Sequence, residues 1–546
     1  MKIYYNGNIV TMENLEDGSL QRVEAFLVKD GEYAAVGTLE EVRAAAGEGV
    51  EEVDLQGATV TPAFVDTHMH VLACGMNLND VDLFNATSIE ECIEISKKYI
   101  ADRQIPAGQW VRSRGWNHDK FTDESRFLNR YDLDKISTEH PLAFTRTCGH
   151  VIVVNSKALE IMGCSEHCDQ VPGGVVEVDE NGRPLGIFAE AARPLVLNAI
   201  PEFTEEQIEH LIQLTTKFAH KHGVTEIQSD CFKDVNYNFE KVLKVYNDMH
   251  ERNVLKLRVY EQCHLPKIEL LQAFLDAGYR TGQGNDLFKI GPYKLQEDGA
   301  LGARTALMRK PYADDPSTCG VAFLPQETLD TLVEMAQKAD MQIAVHAIGD
   351  GAIENVLNAV KRAQELYPRE DERHGIIHSQ ITDLPLIKRF KEQNMVAYVQ
   401  PIFLNYDAKI VNARVGDETA KTSYAWKSYI DEGVLISSGS DCPVESLNII
   451  ENLYTAVCRK MLNGKPEGGH YPEQCLTMEE AVKGHTINAA YCSFSEDRKG
   501  SIKVGKIADF VVMDKDIFSI DPETELLSTK ILATYMDGEK VYEYEA

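Results

Sequence analysis

Nowhere does this sequence hold an apolar run long enough to cross a membrane, and its opening residues, MKIYYNGNIVTMENLEDG, lack the hydrophobic core of an export signal. Basic residues are in the minority: 55 Lys and Arg against 86 Asp and Glu give a net charge of −31. Such a surface repels phosphate backbones and anionic headgroups, so neither a nucleic-acid partner nor a membrane partner is expected. The 12 cysteines are scattered without the spacing of a disulfide framework. Cys164 and Cys168, with Glu166 and His167 between them, match no common zinc-finger or ribbon spacing. A cytoplasmic protein with reduced thiols is the expectation. No Gly-x-Gly-x-x-Gly turn follows an early strand-like run, which argues against a doubly wound open sheet. No Gly- or Pro-rich linker divides the chain.

What is present reads as a large globular protein. The chain has 546 residues, 44% of them hydrophobic and 26% charged, too many for one plain domain. KIYYNGNIVTM and VEAFLVKDGEYAAVG near one end, and SIKVGKIADFVVMDKD and ILATYMDGEKVYEYE near the other, are β-rich and broken by hairpin-type Gly pairs. Residues 1–58 and 491–546 are therefore expected to build one small β-sandwich from both termini, with short strands and turns throughout. Residues 59–490 differ, because short apolar runs there alternate with amphipathic helical stretches such as 326–340 and 383–393.

Eight such runs can be counted. The first ends in Asp66-Thr67-His68-Met69-His70, and the others cover 224–230, 255–262, 288–298, 342–348, 375–380, 395–401 and 434–441. Strand–helix alternation implies parallel strands, and eight of them suggest an α/β fold of the (β/α)8 TIM-barrel type. Active sites of such barrels form at the C-terminal strand ends. The polar residues there are His68 and His70, Asp230, Gln262 with His264, Lys294 with Asp298, His346, His378, Gln400 and Asp441. In a strand, His68 and His70 share one face. Four histidines and an aspartate at one barrel mouth suit a divalent metal, zinc first, with manganese, iron or nickel as alternatives. Asp66 is read as a supporting residue, one step deeper than the two histidines.

These residues carry a resemblance. His68-x-His70, Lys294, His346, His378 and Asp441 on successive strands are similar to the metal-site pattern of the amidohydrolase superfamily. Gly149-His150-x4-Asn155-Ser156-x-Ala158-Leu159, Lys294-x3-Asp298-Gly299-Ala300-Leu301-Gly302 and Gly500-Ser501-Ile502-x2-Gly505-Lys506-x-Ala508-Asp509 resemble its family 3 branch, which includes N-substituted formamide deformylases. The resemblance implies that His68, His70 and Asp441 bind one metal and His346 and His378 a second. Lys294 would bridge the two as a carboxylated lysine; otherwise it is a plain lysine paired with Asp298 or Glu297 beside a single ion. It implies cleavage of a C–N bond, amide or N-formyl, by a metal-bound hydroxide with Asp441 as proton shuttle. His150, in a tight Cys-Gly-His turn, is the candidate to help hold the oxyanion. Ester, lactone or phosphoester hydrolysis on the same centre is the alternative, and a non-catalytic scaffold of the same fold is a third reading.

The long stretch from 77 to 205 reads as irregular and is expected to form a lid and pocket wall around a small-molecule substrate. Its Trp110, Trp116, Phe121 and Phe144 would serve that wall or an internal core. Trp116, Arg304 and Phe403 are the candidate substrate contacts, with Trp426 on the same wall as Phe403. Arg304 would meet an anionic group or pair with Glu190. A homodimer is compatible with the barrel class.

Overall fold

The computed structural model describes residues 1–545 and divides into two compact units, one of residues 1–73 with 215–546 and one of residues 74–214. In the first, eight parallel strands run in sequence order around a barrel. They are Phe64–Met69 (β1), Val224–Ser229 (β2), Arg258–His264 (β3), Phe288–Gln296 (β4), Ile343–Ala347 (β5), Gly375–His378 (β6), Val396–Val399 (β7) and Ile436–Ser438 (β8). Nearly every strand residue is buried, because a parallel sheet wrapped by crossover helices has no wet face. The helices between them, among them Gln326–Lys338, Asp350–Leu366 and Leu384–Glu392, bury one apolar stripe each.

The barrel closes just past the ends of β8 and β1. Asp441 N donates to His68 O at 2.7 Å and His70 N donates to Cys442 O at 2.8 Å. Asp66, buried beneath the two histidines, accepts from His68 N, from Ser440 N and, at 2.5 Å, from Ser440 Oγ. Gly439 makes the approach feasible: a Cβ there would meet His68 N at 2.6 Å and Asp66 Oδ1 at 2.8 Å. The supporting role expected of Asp66 has a physical form, a carboxylate that ties the first strand to the last.

Strands from both termini join one eight-stranded sheet. From one edge to the other it runs Glu539–Glu543, Ile531–Met536, Phe510–Met513, Thr59–Pro62, Lys2–Asn14, Leu20–Lys29 and Glu32–Gly37, and Glu51–Asp54 pairs with Lys2–Asn14. Its core mixes the two ends of the chain. Tyr4 stacks on Phe26 at 5.0 Å, Phe510 stacks on Tyr535 at 4.2 Å, and the two pairs meet edge to face. One element departs from the strands and turns expected of 1–58: Leu39–Ala46 is a helix, opened by a capping box between Thr38 and Glu41.

The motif at 500–509 fastens this sheet to the barrel. Asp509 receives Arg258, at the start of β3, through Nε at 2.9 Å and Nη2 at 3.1 Å, and Arg258 also reaches Asp537 at 2.5 Å. Arg258 and Asp509 are both buried.

The second unit corrects the reading of 77–205 as irregular. It contains a six-stranded sheet in the order Gly174–Val178, Pro184–Glu190, Val151–Val154, Leu142–Arg146, Val111–Trp116 and Val81–Asp82, with a 14-residue helix over Ile89–Asp102. Trp116, Phe121 and Phe144 lie in its apolar core. Asn155, from the first of the family-like motifs, caps the helix Ser156–Ile161 through Ala158 N and donates to Ser137 O and His140 O.

Breaking a buried ion pair from one side strands the other charge, which costs about 3–5 kcal/mol. We expect Arg258→Leu to lose stability on that scale in urea unfolding followed by far-UV circular dichroism. A loss below about 1 kcal/mol would show that Asp509 does not depend on Arg258.

Candidate metal centre

β1 presents His68 and His70 on one face, and each is oriented from behind. His68 Nδ1 lies 2.8 Å from Gln262 Oε1 in β3, while Gln262 Nε2 donates to Thr67 O at 3.0 Å. His70 Nδ1 is hydrogen-bonded to Asp230, just past β2. Donating from Nδ1 leaves each Nε2 with its lone pair. Both Nε2 atoms turn to Asp441, whose Oδ1 stands 2.8 Å from that of His70 and 3.4 Å from that of His68. These approaches are not aligned as hydrogen bonds, and Asp441 Oδ1 is buried without a hydrogen-bond partner. The three ligand atoms lie within 4.8 Å of one another, and all three residues are buried. Lone pairs facing one another out of water are costly unless a cation lies among them. The donor set fits a divalent metal of borderline softness.

The remaining histidines extend the cluster. The ring of His378 is 5.5 Å from that of His68 and 4.3 Å from that of His346. His378 Nδ1 is buried without a hydrogen-bond partner, whereas His346 Nε2 lies 3.2 Å from Gly299 O and 3.4 Å from Asp298 Oδ1. His378 and Asp441 have φ of 78° and 61°, left-handed backbone that costs on the order of 1–3 kcal/mol each for residues with a Cβ. Such bends at strand ends turn the side chains into the mouth of the barrel.

Lys294 is buried at the centre of this group, beside His264 in the β3–β4 register. The plain-lysine pairing is not what forms. Asp298 accepts instead from the backbone N–H groups of Leu307, Ile348 and Gly349, and Glu297 accepts from Asn355. Among the described residues the Lys294 side chain has no hydrogen bond or ion pair, and burial, offset only in part by Asp230 and Asp441, pulls its ammonium down to about 8. Burial likewise holds His68 well below the ordinary imidazole range. For His70, burial is outweighed by Asp230, which lifts it to about 9. Binding a metal at Nε2 would displace that proton.

Of the other expected site residues, Phe403 stacks on His378 at 5.5 Å with 22° between the rings. Trp116 is a packing residue, fully buried in the inserted unit with Nε1 donating to Phe144 O at 3.1 Å. Trp426 is buried too, under the guanidinium of Arg459. Arg304 is partly exposed, and its guanidinium grips Asp314 through Nε at 3.0 Å and Nη2 at 2.9 Å. Arg414 binds the same Asp314 carboxylate, so the three side chains together keep a net positive charge. His150 belongs to the second unit, exposed, with Nδ1 3.0 Å from Glu190. Sequence reasoning assigned no role to Lys233, whose Nζ is 3.1 Å from His70 Nδ1 and 3.4 Å from Asp230. Its only signal was its place three residues after Asp230.

Comparison with known proteins agrees with this geometry. Residues 51–542 match the amidohydrolase family. YtcJ of Bacillus subtilis, an amidohydrolase by name, is 34% identical over 99% of both chains. The N-substituted formamide deformylase of Arthrobacter pascens is 25% identical, over 98% of this chain and 97% of its own. A crystal structure of a metal-dependent hydrolase from Pyrococcus horikoshii superposes with a TM-score of 0.79 at 27% identity, covering 96% of this chain and 99% of its own. The fold, the converging ligands and these matches lead to one statement: the chain belongs to the amidohydrolase family.

Proposed function

We propose that the protein is a metal-dependent hydrolase of a C–N bond, of the amide or N-formyl type, in a small molecule. The observation that carries this reading is the convergence of His68 Nε2, His70 Nε2 and Asp441 Oδ1 inside 4.8 Å. The full-length similarity to a formamide deformylase supports the choice of bond. His68, His70 and Asp441 would hold a zinc ion, which when bound activates water as a nucleophile and polarises the scissile carbonyl.

The chain's own residues do the rest. Asp441 is buried, yet His70, His68 and His378 hold its carboxyl far below the ordinary range, so it is ionised and ready to accept a proton. It takes the proton released by the attacking water and returns it to the amine nitrogen as the C–N bond breaks. Gln262 and Asp230 keep the two imidazoles in the tautomer that leaves Nε2 free. Lys294 has the burial and the lowered ammonium needed for its neutral amine to add carbon dioxide. The resulting carbamate, with His346 and His378, would hold a second ion.

Three outcomes test this scheme. Asp441→Asn should keep its fold and lose about 10²–10⁴ in kcat toward N-formyl amines, the usual worth of a positioned proton carrier. Turnover near that of the parent protein would remove Asp441 from the proton path. Gln262→Leu should weaken zinc binding by about 10–100-fold in competition with a chromophoric chelator, since it frees the His68 ring. Unchanged affinity would make Gln262 a packing residue only. Elemental analysis should find two ions per chain, falling to one in Lys294→Ala; a count of one in both would discard the bridging lysine.

A further inference from the structure

Beside the proposed metal ligands, the C-terminal strand ends line a cavity of about 180 Å³, open to solvent past Tyr406 and Val444, that none of the chemistry above uses. Its walls come from Ala300, Leu301 and Gly302 after β4, Gln380 after β6, Phe403, Tyr406 and Asp407 after β7, and Val444 and Glu445 after β8. Phe403 belongs to both places, stacking on His378 and lining the cavity.

The polar groups of this wall are all acceptors or unpaired. Gln380 is 3% exposed, and both its Oε1 and its Nε2 lack a hydrogen-bond partner. Leaving a buried amide unpaired costs about 1–3 kcal/mol per group, which a ligand would return. Glu445 has no hydrogen bond or ion pair among the described residues, and Asp407 accepts only from Tyr424 OH, at 2.6 Å. No Lys or Arg lines the cavity. Burial and the neighbouring Asp407 push the Glu445 carboxyl up to about 7, and burial pushes Asp407 up to about 6. Two carboxylates, an amide oxygen and two aromatic rings around one small space are the complement of a cationic nitrogen.

We propose that this cavity receives the amine-side arm of the substrate and selects arms that end in a second, protonated amine, Glu445 and Asp407 taking the charge and Gln380 Oε1 an N–H. The proposal rests on the C–N hydrolase reading for the word substrate, but the cavity can be tested without it. With the zinc-loaded protein, monoformyl diaminobutane should be hydrolysed with a kcat/KM at least about tenfold above that of its neutral isostere, N-pentylformamide. In Glu445→Gln that ratio should fall toward one. In calorimetry, n-butylammonium should bind the parent protein about tenfold more tightly than it binds Glu445→Gln, while n-butanol should not distinguish them. If Glu445→Gln does not fold, Gln380→Leu gives the same comparison.

Equal turnover of the two formamides, or equal n-butylammonium binding by parent and variant, would overturn the assignment. Hydrolysis of neither formamide, with n-butylammonium binding still dependent on Glu445, would sink the C–N reading and leave the cation cavity standing.

Discussion

Everything at the mouth of this barrel depends on the seam between its first and last strands. Asp441 N donates to His68 O and His70 N to Cys442 O, so the bonds that close the barrel also set the side chains of His68, His70 and Asp441 face to face. Asp66 underpins the seam through Ser440 and His68, and Gly439 is the residue that lets the two backbones approach so closely. Closure and the convergence of these three side chains are one constraint. A change that widened the seam by an ångström would lose the Asp441–His70 approach before it unfolded the barrel. The left-handed backbone at Asp441 is the local cost of that arrangement, held because strands on both sides leave it no alternative.

The same tight space explains the electrostatics. Asp230, Asp441 and Lys294 are buried among the imidazoles, with the partly exposed Lys233 at their edge, so each shifts its neighbours' protonation. Asp230 is the pivot: it orients His70, faces Lys233, and opposes the effect of burial on Lys294. The net charge of −31 has little part in this, because a surface field is weak beside charges a few ångströms apart. Lys294 stands out because it is buried in this cluster with no carboxylate bonded to its amine, so burial outweighs the pull of Asp230 and Asp441.

Much of this was legible in the sequence because parallel barrels obey a simple rule. Each strand is short, apolar and ends at the same rim, so His346, His378 and Asp441 could be placed at that rim from position alone. What position cannot give is pairing across strands. Gln262 and Asp230 were visible as strand-end polar residues, but that they hold His68 and His70 from behind follows only from the register of β1, β2 and β3. The inserted unit hid for a related reason: its strands run four to seven residues apart from one two-residue edge, and their partners lie up to about forty residues away in sequence. Trp116 read as a pocket residue because an aromatic in a loop-like stretch looks exposed until a sheet is found to cover it. The helix at Leu39–Ala46 had a local signal, Thr38 followed three residues later by Glu41, which the surrounding hairpin texture masked.

Family resemblance and substrate choice reside in different residues. Several motif positions serve architecture: Asn155 caps a helix, Asp509 anchors Arg258, and Asp298 collects three backbone N–H groups around the loops after β4 and β5. Others, His68, His70, Lys294 and Asp441, are buried at the C-terminal strand ends. The proposed substrate-arm cavity draws little on either set: only its Ala300–Gly302 wall lies within a motif, and Phe403, Tyr406, Asp407, Val444 and Glu445 come from the loops after β7 and β8, outside every motif. Loops on a rigid rim can change without disturbing the seam that holds the ligands. The acidic groups of this wall, Asp407 and Glu445, thus sit on loops that can vary while the seam between β8 and β1 stays as it is.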